Sequence, residues 1–253
     1  MSLTVRIQKR YGGFRLDADF SVESGGALAL LGASGCGKSV TLKCIAGIDR
    51  PDAGRIELDG RVLFDGAAGI NLPPQRRRVG VLFQNYALFP NMTVEQNVAV
   101  CLGRLDRRER RRRTAELLAL LRLEEQAALH PRQLSGGQRQ RAALARVLAA
   151  EPRALLLDEP FSALDFLTRV SMQEWLLEQW EKHKKTILFI THDVEEAVFL
   201  SGSVLAVAET PIRALSEAPV PAPYPRTRAC LTRPDTVALR EELIGMLRKQ
   251  VRP

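Results

Sequence analysis

The stretch that decides the fold is residues 32–39, Gly32-Ala33-Ser34-Gly35-Cys36-Gly37-Lys38-Ser39. Four residues separate its first glycine from a Gly-Lys-Ser triplet, which is the spacing of a phosphate-binding P-loop. An apolar run, Ala27–Leu31, precedes the loop and a helical pattern follows it, as the motif requires. Glycines let several backbone N–H groups point at one phosphate, and the N-terminus of the following helix adds a favourable dipole. The sequence therefore predicts a nucleotide-binding protein.

Two side chains at the end of this loop have expected roles in nucleotide binding. The helix after the loop is expected to begin at Lys38, whose ammonium group should reach the terminal phosphates. The hydroxyl of Ser39 should bind a magnesium ion that accompanies the nucleotide.

Length and composition narrow the remaining classes of protein. The chain has 253 residues and is 45% hydrophobic, which suits one large α/β domain or one domain with a small appendage. No window approaches the roughly 18 consecutive apolar residues of a membrane span, and no signal-peptide pattern opens the chain. We therefore expect a soluble protein. The four cysteines are scattered without a C-x-x-C pair, which argues against a zinc site or a disulfide framework.

The net charge of +8 is concentrated in two arginine-rich blocks, residues 76–78 and 107–113. A basic run can bind nucleic acid. The longer block, however, leads into leucines at helical spacing and has no interleaved aromatic residues on which bases could stack. We expect a solvated helix face and no nucleic-acid partner, with anionic lipid headgroups beside a membrane protein as the more natural neighbour.

Hydrophobic patterning predicts an α/β fold. Alternating residues predict a group of antiparallel strands, and short apolar runs predict buried parallel strands. The first group comprises residues 3–7, 14–22 and 55–58, and the second comprises residues 79–83, 154–157 and 186–190. A mostly helical stretch at about 85–150 predicts an insertion between strands of a mixed central sheet.

The end of the chain has a different character from the rest. Prolines become frequent after residue 209 and predict an extended strap. A final helix is expected to start near Asp235, with that residue as its cap. We therefore predict a domain over residues 1–208 and a strap with a C-terminal helix over residues 209–253, without a separate regulatory domain.

A second chemical cluster is the run Ala154-Leu155-Leu156-Leu157-Asp158-Glu159. An apolar strand that ends in two acids places carboxylates at the carboxyl edge of a sheet, where doubly wound folds bind ligands. Asp158 is suited to hold magnesium, usually through a water, and Glu159 to act as general base towards an attacking water. Acids at such a position also cap helices. The pair therefore indicates a catalytic site only in combination with the P-loop.

The segment Leu134-Ser135-Gly136-Gly137-Gln138-Arg139-Gln140-Arg141 resembles the signature loop of ATP-binding cassette (ABC) ATPases. Three further motifs match this family in order. Gln84 resembles the Q-loop glutamine, residues 162–165 the D-loop and residues 191–193 the switch-histidine loop. The resemblance covers residues 32–193 and implies a P-loop NTPase of the ABC type.

This resemblance implies an ATPase that uses ATP and Mg²⁺. In this family the signature loop of one copy completes the ATP site of another, so two copies would enclose two ATP molecules. His192 would contact the γ-phosphate and orient Glu159 and the water, while Gln84 would sense magnesium. The implied catalytic residues are Lys38, Gln84, Glu159 and His192, and the implied metal-binding residues are Ser39, Gln84 and Asp158. The implied contacts to the second copy's ATP are Ser135, Gly136, Gly137, Gln138 and Asp165.

The resemblance also implies the rest of the ATP site. Its P-loop contacts are Gly32, Ser34, Gly35, Cys36, Gly37, Lys38, Ser39 and Val40. Many relatives have threonine where this chain has Val40, so one hydroxyl near the phosphates is missing. The adenine would stack on Tyr11, with Phe14 as the alternative.

Among ABC proteins the chain looks like the detached ATPase subunit of a prokaryotic importer. Residues 60–90 are similar to molybdate and sulfate importers, whereas residues 172–200 and the proline strap are similar to nitrate, sulfonate and taurine importers. We expect an oxyanion importer, with the nitrate/sulfonate/taurine type slightly ahead of the molybdate/sulfate type. A soluble ABC ATPase that acts on nucleic acid or ribosomes is the alternative of another class.

An importer subunit implies partners and a location. The implied partners are a second copy of the chain, transmembrane permease subunits and, indirectly, a periplasmic or lipid-anchored substrate-binding protein. The implied location is the cytoplasmic face of the cell (inner) membrane, as a peripheral subunit. Residues after the Q-loop, Tyr86, Leu88 and Phe89, are expected to form part of the groove for a permease helix, unless they only pack the insertion.

Overall fold

The computed structural model describes residues 2–162, 164–207 and 211–251, without the side chains of Tyr11 and of residues 249–251. The strands are β1 Ser2–Tyr11, β2 Phe14–Glu23, β3 Ala27–Leu31, β4 Ala53–Leu58, β5 Arg61–Asp65, β6 Ile70–Asn71, β7 Val79–Leu82, β8 Ala154–Asp158, β9 Thr186–Thr191, β10 Ser203–Val207 and β11 Leu215–Pro219. The helices are α1 Lys38–Ala46, α2 Pro74–Arg77, α3 Val94–Ala99, α4 Arg107–Leu120, α5 Gly136–Ala149, α6 Phe166–His183, α7 Val194–Leu200 and α8 Pro234–Val251. Short 3₁₀ helices lie at Val100–Leu102, Pro131–Gln133 and Arg228–Thr232.

The N-terminal strands form an antiparallel sheet in the order β2-β1-β4-β5-β6. The sequence predicted β1, β2 and β4 as antiparallel strands but not β5 and β6. β1 and β2 are paired along their whole lengths, from Ser2 opposite Glu23 to Tyr11 opposite Phe14. Side chains of β1 alternate between the interior and the surface, with Leu3, Val5 and Ile7 buried. One face of this sheet therefore contributes to the core, because successive side chains of a strand point to opposite faces.

The central sheet has the order β11-β10-β3-β9-β8-β7 and is mixed, as predicted. The strands from β10 to β7 are parallel, and β11 is antiparallel to β10. Every residue of β3, β8 and β9 is buried. Apolar clusters cover both faces of the sheet, and β3 contributes Leu28 and Leu30 to one cluster and Ala29 and Leu31 to the other. This arrangement explains why the parallel strands are continuous apolar runs.

The helical insertion between β7 and β8 is built from α3, α4 and α5, and α5 packs against β7, the edge strand of the central sheet. Each of these helices starts with a side-chain cap: the caps are Thr93, Asp106 and Ser135. In α4 the basic block of the sequence faces solvent, while Thr114, Leu117 and Leu118 are buried. The block is therefore the exposed face of an amphipathic helix.

The structure corrects two predictions about the end of the chain. The proline-rich strap contains a strand, β11, which pairs antiparallel with β10 and ends at Pro219. An edge strand tolerates a proline because one of its sides has no ladder to donate to. The final helix begins at Pro234, so Asp235 lies in its first turn and does not cap it. The predicted boundary at residues 208–209 lies outside the described residues, and the division into a 1–208 domain and a 209–253 segment stays a prediction.

Among the described helices, none is both long and apolar enough to cross a lipid bilayer.

Arg77 lies in the shorter basic block but is only 1% exposed. Its Nη1 donates to the carbonyls of Cys44 (2.8 Å) and Ile45 (2.9 Å) near the end of α1. Its Nε donates to the Leu72 carbonyl (2.7 Å) and its Nη2 to Asn71 Oδ1 (2.8 Å). The carboxyl end of a helix carries partial negative charge and unpaired carbonyls, so this guanidinium satisfies the end of the P-loop helix.

We predict that Arg77→Met lowers the free energy of unfolding by roughly 2–4 kcal/mol, because it leaves buried carbonyls without donors. The neighbouring Arg76 is exposed, so Arg76→Met is the matched control and should change stability by less than about 0.5 kcal/mol. Chemical denaturation followed by circular dichroism measures both values. Equal effects of the two substitutions would contradict the capping role.

Candidate functional site

The P-loop connects the carboxyl end of β3 to the start of α1, which begins at Lys38 as predicted. Gly35 and Gly37 have φ angles of +82° and +110°, a region that residues with a side chain rarely adopt. At Gly37 a Cβ atom would also lie 2.7 Å from Leu16 Cδ1 and 2.8 Å from Phe14 Cζ. Backbone conformation and close packing thus both require glycine at this position.

Lys38 is 6% exposed, and its ammonium group lies inside the loop. Nζ donates to the carbonyls of Gly32 and Ala33, each at 2.7 Å. The side chain of Cys36 is fully buried, with its Sγ 3.6 Å from the same Nζ. The cationic group is therefore held at the loop by the loop's own backbone.

Ser39 and Asp158 come together at the edge of the central sheet. The Ser39 hydroxyl donates to Asp158 Oδ1 at 3.1 Å, and Asp158 is 8% exposed. Burial raises the pKa of the Asp158 carboxyl, while the hydrogen bond from Ser39 acts in the opposite direction. A hydroxyl, a carboxylate and a neighbouring amide are hard oxygen donors of the kind that magnesium prefers, so the residues present fit this ion.

Glu159 follows directly after β8 and carries a φ angle of +49°. Its N–H donates to the Ile190 carbonyl on β9 at 3.1 Å, which fixes the turn. Its carboxylate contacts Gln84 and His192, which were also predicted to be catalytic. Oε2 accepts from Gln84 Nε2 at 3.2 Å, and Oε1 lies 3.6 Å from His192 Nδ1. A positive φ at a residue with a side chain costs conformational energy and is found preferentially at functional sites.

His192 follows the last residue of β9, and its side chain is 62% exposed. The next residue, Asp193, caps α7 by accepting from the backbone N–H groups of Glu195 (2.8 Å) and Glu196 (3.1 Å). The imidazole is thus held between a strand end and a helix start, with its Nδ1 facing Glu159.

The signature residues have no contact with this cluster among the described hydrogen bonds, whereas the D-loop begins beside Glu159. Ser135 caps α5: its Oγ accepts from the Gln138 N–H at 3.2 Å, and Gln138 Oε1 accepts from the Ser135 N–H at 2.8 Å. Asp165 caps α6 and is exposed. A Cβ atom at Gly137 would lie 3.0 Å from Leu164 Cδ2, so the two motifs are neighbours. Ser162 of the D-loop donates to the Glu159 carbonyl from its hydroxyl (3.1 Å) and from its backbone N–H (3.3 Å). Within the described ranges, no hydrogen bond joins the signature loop to the P-loop or to Glu159.

The sequence predicted further nucleotide contacts at Val40 and at either Tyr11 or Phe14. Phe14 and Val40 are half-buried and pack against the apolar cluster between the two sheets. The ring of Phe14 lies against Gly37. The side chain of Tyr11 lies outside the described residues, so the choice between Tyr11 and Phe14 for adenine stays open.

Sequence reasoning missed Arg146, which holds the residues after the Q-loop. Its Nη1 donates to the Ala87 carbonyl (2.6 Å) and its Nη2 to the Tyr86 carbonyl (3.2 Å). Both acceptor residues have positive φ angles, +60° at Tyr86 and +45° at Ala87. The guanidinium also lies 5.3 Å from the centre of the Phe89 ring. The contact joins residues about sixty positions apart, so no local pattern could have revealed it.

Comparison with known proteins places this geometry in a family. The profile of the ABC transporter family matches residues 16–162. The chain is 42% identical over 240 residues to a putative ATP-binding protein of Brucella abortus, which covers 92% of this chain and 88% of that protein. It is 46% identical over 210 residues to a probable sulfate/thiosulfate import ATP-binding protein, CysA, of Chlorella vulgaris, covering 81% and 86% respectively.

A third relative and two solved structures agree with this family. The aliphatic sulfonates import ATP-binding protein SsuB of Bacillus subtilis is 40% identical over 231 residues, covering 91% of this chain and 86% of that protein. A dimeric bacterial ABC transporter cassette, MJ0796, superposes with a TM-score of 0.76 at 28% identity over 88% of this chain and all of its own. The same cassette, in a dimeric post-hydrolysis state bound to ADP and phosphate, gives a TM-score of 0.75. The chain therefore belongs to the ABC transporter family and is one of its ATP-binding, ATP-hydrolysing cassettes.

Proposed function

We propose that this cassette drives an importer for an oxyanion as a peripheral subunit at the cytoplasmic face of the cell membrane. The observation that carries the ATPase part is the cluster of Ser39, Asp158, Glu159, Gln84 and His192 at one edge of the central sheet. The import part is supported by relatives whose names are those of import ATP-binding proteins.

In the proposed mechanism the P-loop and Lys38 bind the ATP phosphates, and Glu159 acts on the attacking water. The Glu159 carboxylate accepts a proton as the water attacks the γ-phosphorus. The bond from that phosphorus to the oxygen bridging the β- and γ-phosphates breaks, and ADP and inorganic phosphate are released. Gln84 donates to one oxygen of the Glu159 carboxylate, and His192 lies beside the other. These two contacts orient the carboxylate, and the exposed imidazole would contact the γ-phosphate.

Magnesium fits the same edge of the sheet. Ser39, Asp158 and Gln84 would hold the ion, because together they offer hydroxyl, carboxylate and amide oxygens. When bound, Mg²⁺ supplies positive charge that offsets the charge of the phosphates during transfer.

A second copy of the chain completes the proposed site. Ser135, Gly136, Gly137 and Gln138 form a helix N-terminus, where backbone N–H groups and the helix dipole favour an anion. Within one chain this terminus has no hydrogen bond to the described P-loop residues, so a phosphate held by the P-loop would meet it only from a partner. Asp165 is exposed and follows Leu164, whose side chain lies next to Gly137. The dimeric cassette structures support this arrangement.

We predict that Glu159→Gln slows ATP hydrolysis by roughly 100- to 10,000-fold while ATP still binds, because it removes the general base but not the P-loop. The variant should therefore accumulate as a dimer when ATP is added. Size-exclusion chromatography with light scattering, with and without ATP, measures the change.

Two second-site substitutions test where the dimer forms. Adding Ser135→Arg to Glu159→Gln should keep ATP binding and abolish the dimer, because the arginine side chain would block the signature surface. Ser24 is also exposed and lies in the turn before β3, at the amino-terminal end of that strand and so away from the P-loop. Ser24→Arg should therefore leave the dimer intact. A dimer that survives Ser135→Arg would contradict the shared site.

The permease is proposed to dock at the loop after Gln84 and the cleft beside it. Phe89 is 46% exposed, although its backbone N–H and carbonyl are both bound by the buried Asn97 side chain, at 2.8 and 3.1 Å. An exposed aromatic ring on a firmly held backbone suits a preformed contact. Arg146 packs on this ring. Burial raises the pKa of the Cys101 thiol, and the charge of Arg146 opposes this rise.

Cys101 lines a cleft of about 850 Å³ between the sheet and the helical insertion. Five arginines line this cleft: Arg61, Arg76, Arg78, Arg104 and Arg153. Among the described lining residues Glu151 is the one acid. The occupant that fits this charge is a cytoplasmic permease helix with acidic side chains towards the cassette.

We predict that Phe89→Glu abolishes stimulation of ATP hydrolysis by the permease and leaves ATP binding unchanged. Stimulation should be lost because a carboxylate would replace an apolar contact on the docking surface. ATP binding should be unchanged because Phe89 is distant from the P-loop in sequence and none of its described hydrogen bonds involves the P-loop. Val237 on α8 is similarly exposed, at 40%, and Val237→Glu is the matched control. Nucleotide titration and hydrolysis assays of the reconstituted complex measure both effects. Loss of ATP binding in Phe89→Glu would show that the ring only packs the insertion.

For the cargo we propose the nitrate/sulfonate/taurine type, with molybdate/sulfate as the alternative. The similarity to the aliphatic sulfonates protein extends over 91% of the chain. The similarity to the sulfate/thiosulfate protein is higher in identity but covers 81%. Uptake of labelled taurine, alkanesulfonate, nitrate, sulfate and molybdate, compared between cells with and without this gene, decides the choice. Unchanged uptake of all five anions would overturn an oxyanion importer.

A further inference from the structure

Helix α7 links the proposed switch histidine to the C-terminal segment, residues 220–251. The helix begins two residues after His192 and is buried from Glu196 to Leu200. Asp193 caps its start, and the Asp193 N–H donates to the Thr191 hydroxyl at 3.0 Å. Any displacement of this helix would therefore move the loop that carries His192.

The C-terminal segment holds the far end of α7 through a buried arginine. Arg226 is 8% exposed, and its Nη1 donates to the carbonyls of Val198 (3.0 Å), Phe199 (3.3 Å) and Ser201 (2.6 Å). Its guanidinium lies 4.0 Å from the ring centre of Tyr224, whose hydroxyl donates to the Leu200 carbonyl at 3.1 Å. The positive charge complements the carboxyl end of the helix dipole.

A second contact from this segment reaches the first turn of α7 through α6. Arg228 Nη2 donates to Gln173 Oε1, and its guanidinium lies 4.6 Å from the ring centre of Phe199. Gln173 Nε2 in turn donates to Glu196 Oε2 at 3.2 Å, and both residues are buried. Among the described residues no hydrogen-bond donor contacts the buried Glu196 Oε1.

The Glu196 carboxyl faces the reaction centre. It lines a small cavity of about 40 Å³ together with Glu159, Thr191, His192, Asp193 and Arg169. The charged and titratable groups that surround it are therefore Arg169 on α6, Glu159 after β8, and His192 and Asp193 before α7, with Arg228 behind Gln173. Two of these neighbours are carboxylates, so a negative charge on Glu196 would be repelled by the groups that frame the site.

We propose that Glu196 is a positioning residue for the His192 loop, and that Arg228 of the C-terminal segment keeps it in place through Gln173. The proposal rests on the role of His192 proposed above. In this role Glu196 makes no contact with the nucleotide and acts only by positioning the loop that carries His192. The C-terminal segment thereby becomes part of the ATPase machinery through α7, although it lies outside the matched family profile.

The protonation state of Glu196 gives this role a pH signature. Burial raises the pKa of Glu196 to about 8 from its ordinary 4.5, and the charge of Asp193 adds to the rise. Thr191, Arg169 and Gln173 oppose it. The side chain is therefore neutral at pH 7. As the pH rises through about 8 it ionises beside Glu159 and Asp193, and we expect kcat to fall.

Substitutions in the full-length chain test the proposal by ATP hydrolysis at saturating and limiting ATP. Glu196→Leu should lower kcat about ten-fold or more with KM nearly unchanged, since it misplaces a reacting group without altering the P-loop. Glu196→Gln keeps both the shape and the neutral state, so it should restore most of kcat at pH 7. It should also remove the decline above pH 8 that the wild type shows.

Arg228→Met tests the contribution of the C-terminal segment. It should lower kcat by a few-fold and leave KM unchanged, because Gln173 loses the donor that orients it. Arg233 lies in the same segment and pairs with Asp235 at 2.8 Å, so Arg233→Met is the matched control and should have no effect. Equal kcat values for the two variants would overturn the link through Arg228.

A stability measurement checks the protonation state without any catalysis. A folded-state pKa above the unfolded one contributes stability that is present at low pH and lost as the pH rises. The melting temperature of Glu196→Gln minus that of the wild type should therefore increase from about pH 4.5 to about pH 8 and then level off. A constant difference would overturn the neutral buried carboxyl.

His192→Ala separates the failure of this inference from that of the proposed mechanism. If His192→Ala hydrolyses ATP like the wild type, the proposed function of His192 is wrong. If His192→Ala is inactive while Glu196→Leu folds and retains both kcat and the alkaline decline, Glu196 has only a packing role and the inference is overturned. Should Glu196→Leu not fold, the pH profile of Glu196→Gln and the Arg228→Met comparison decide the same question.

Discussion

The parallel pairing of β3, β9 and β8 is the constraint on which the rest of the structure depends. Leu31 lies opposite Thr191, and Asp158 lies opposite Ile190, so all three strands end at the same edge of the sheet. The P-loop, the Asp158–Glu159 pair and the His192 loop follow these ends directly. Parallel hydrogen bonding thus brings together the proposed ATP-site residues from segments that lie between residues 32 and 192, and the apolar layers on both faces keep the strands in register.

Two buried arginines secure the helices that lead away from this edge. α1 starts at the P-loop and α7 starts behind His192, and each has a guanidinium on the carbonyls at its far end. Arg77 serves α1 and Arg226 serves α7. Burial lowers the pKa of both arginines, but the helix-end carbonyls provide acceptors and a negative dipole end for the charge. The P-loop and the His192 loop each lead into the N-terminus of a helix, and a buried arginine binds the carbonyls at the opposite end of that helix.

Local patterns were sufficient where one short segment carries the whole signal. The spacing of residues 32–39 predicted the strand, loop and helix of the P-loop, and apolar runs predicted the parallel strands to within one or two residues. Three strands of the antiparallel sheet were likewise evident from alternation. The edge strand β11 was missed because prolines mask strand character. The start of α8 was misplaced by one residue, because a proline suits the first turn of a helix as well as an aspartate suits a cap.

The sequence by itself determined which chemical groups this protein offers: a phosphate loop, two acids at the end of one strand and a histidine at the end of another. Each group lies within a short sequence motif that identifies it. Only the tertiary structure decided how these groups meet and what holds them. Arg77 and Arg76 are indistinguishable in sequence, yet one is buried and the other exposed. Arg146, Arg226 and the Arg228–Gln173–Glu196 series act across long sequence separations. Such contacts depend on which surfaces the folded sheet and helices bring together, and no local pattern encodes that.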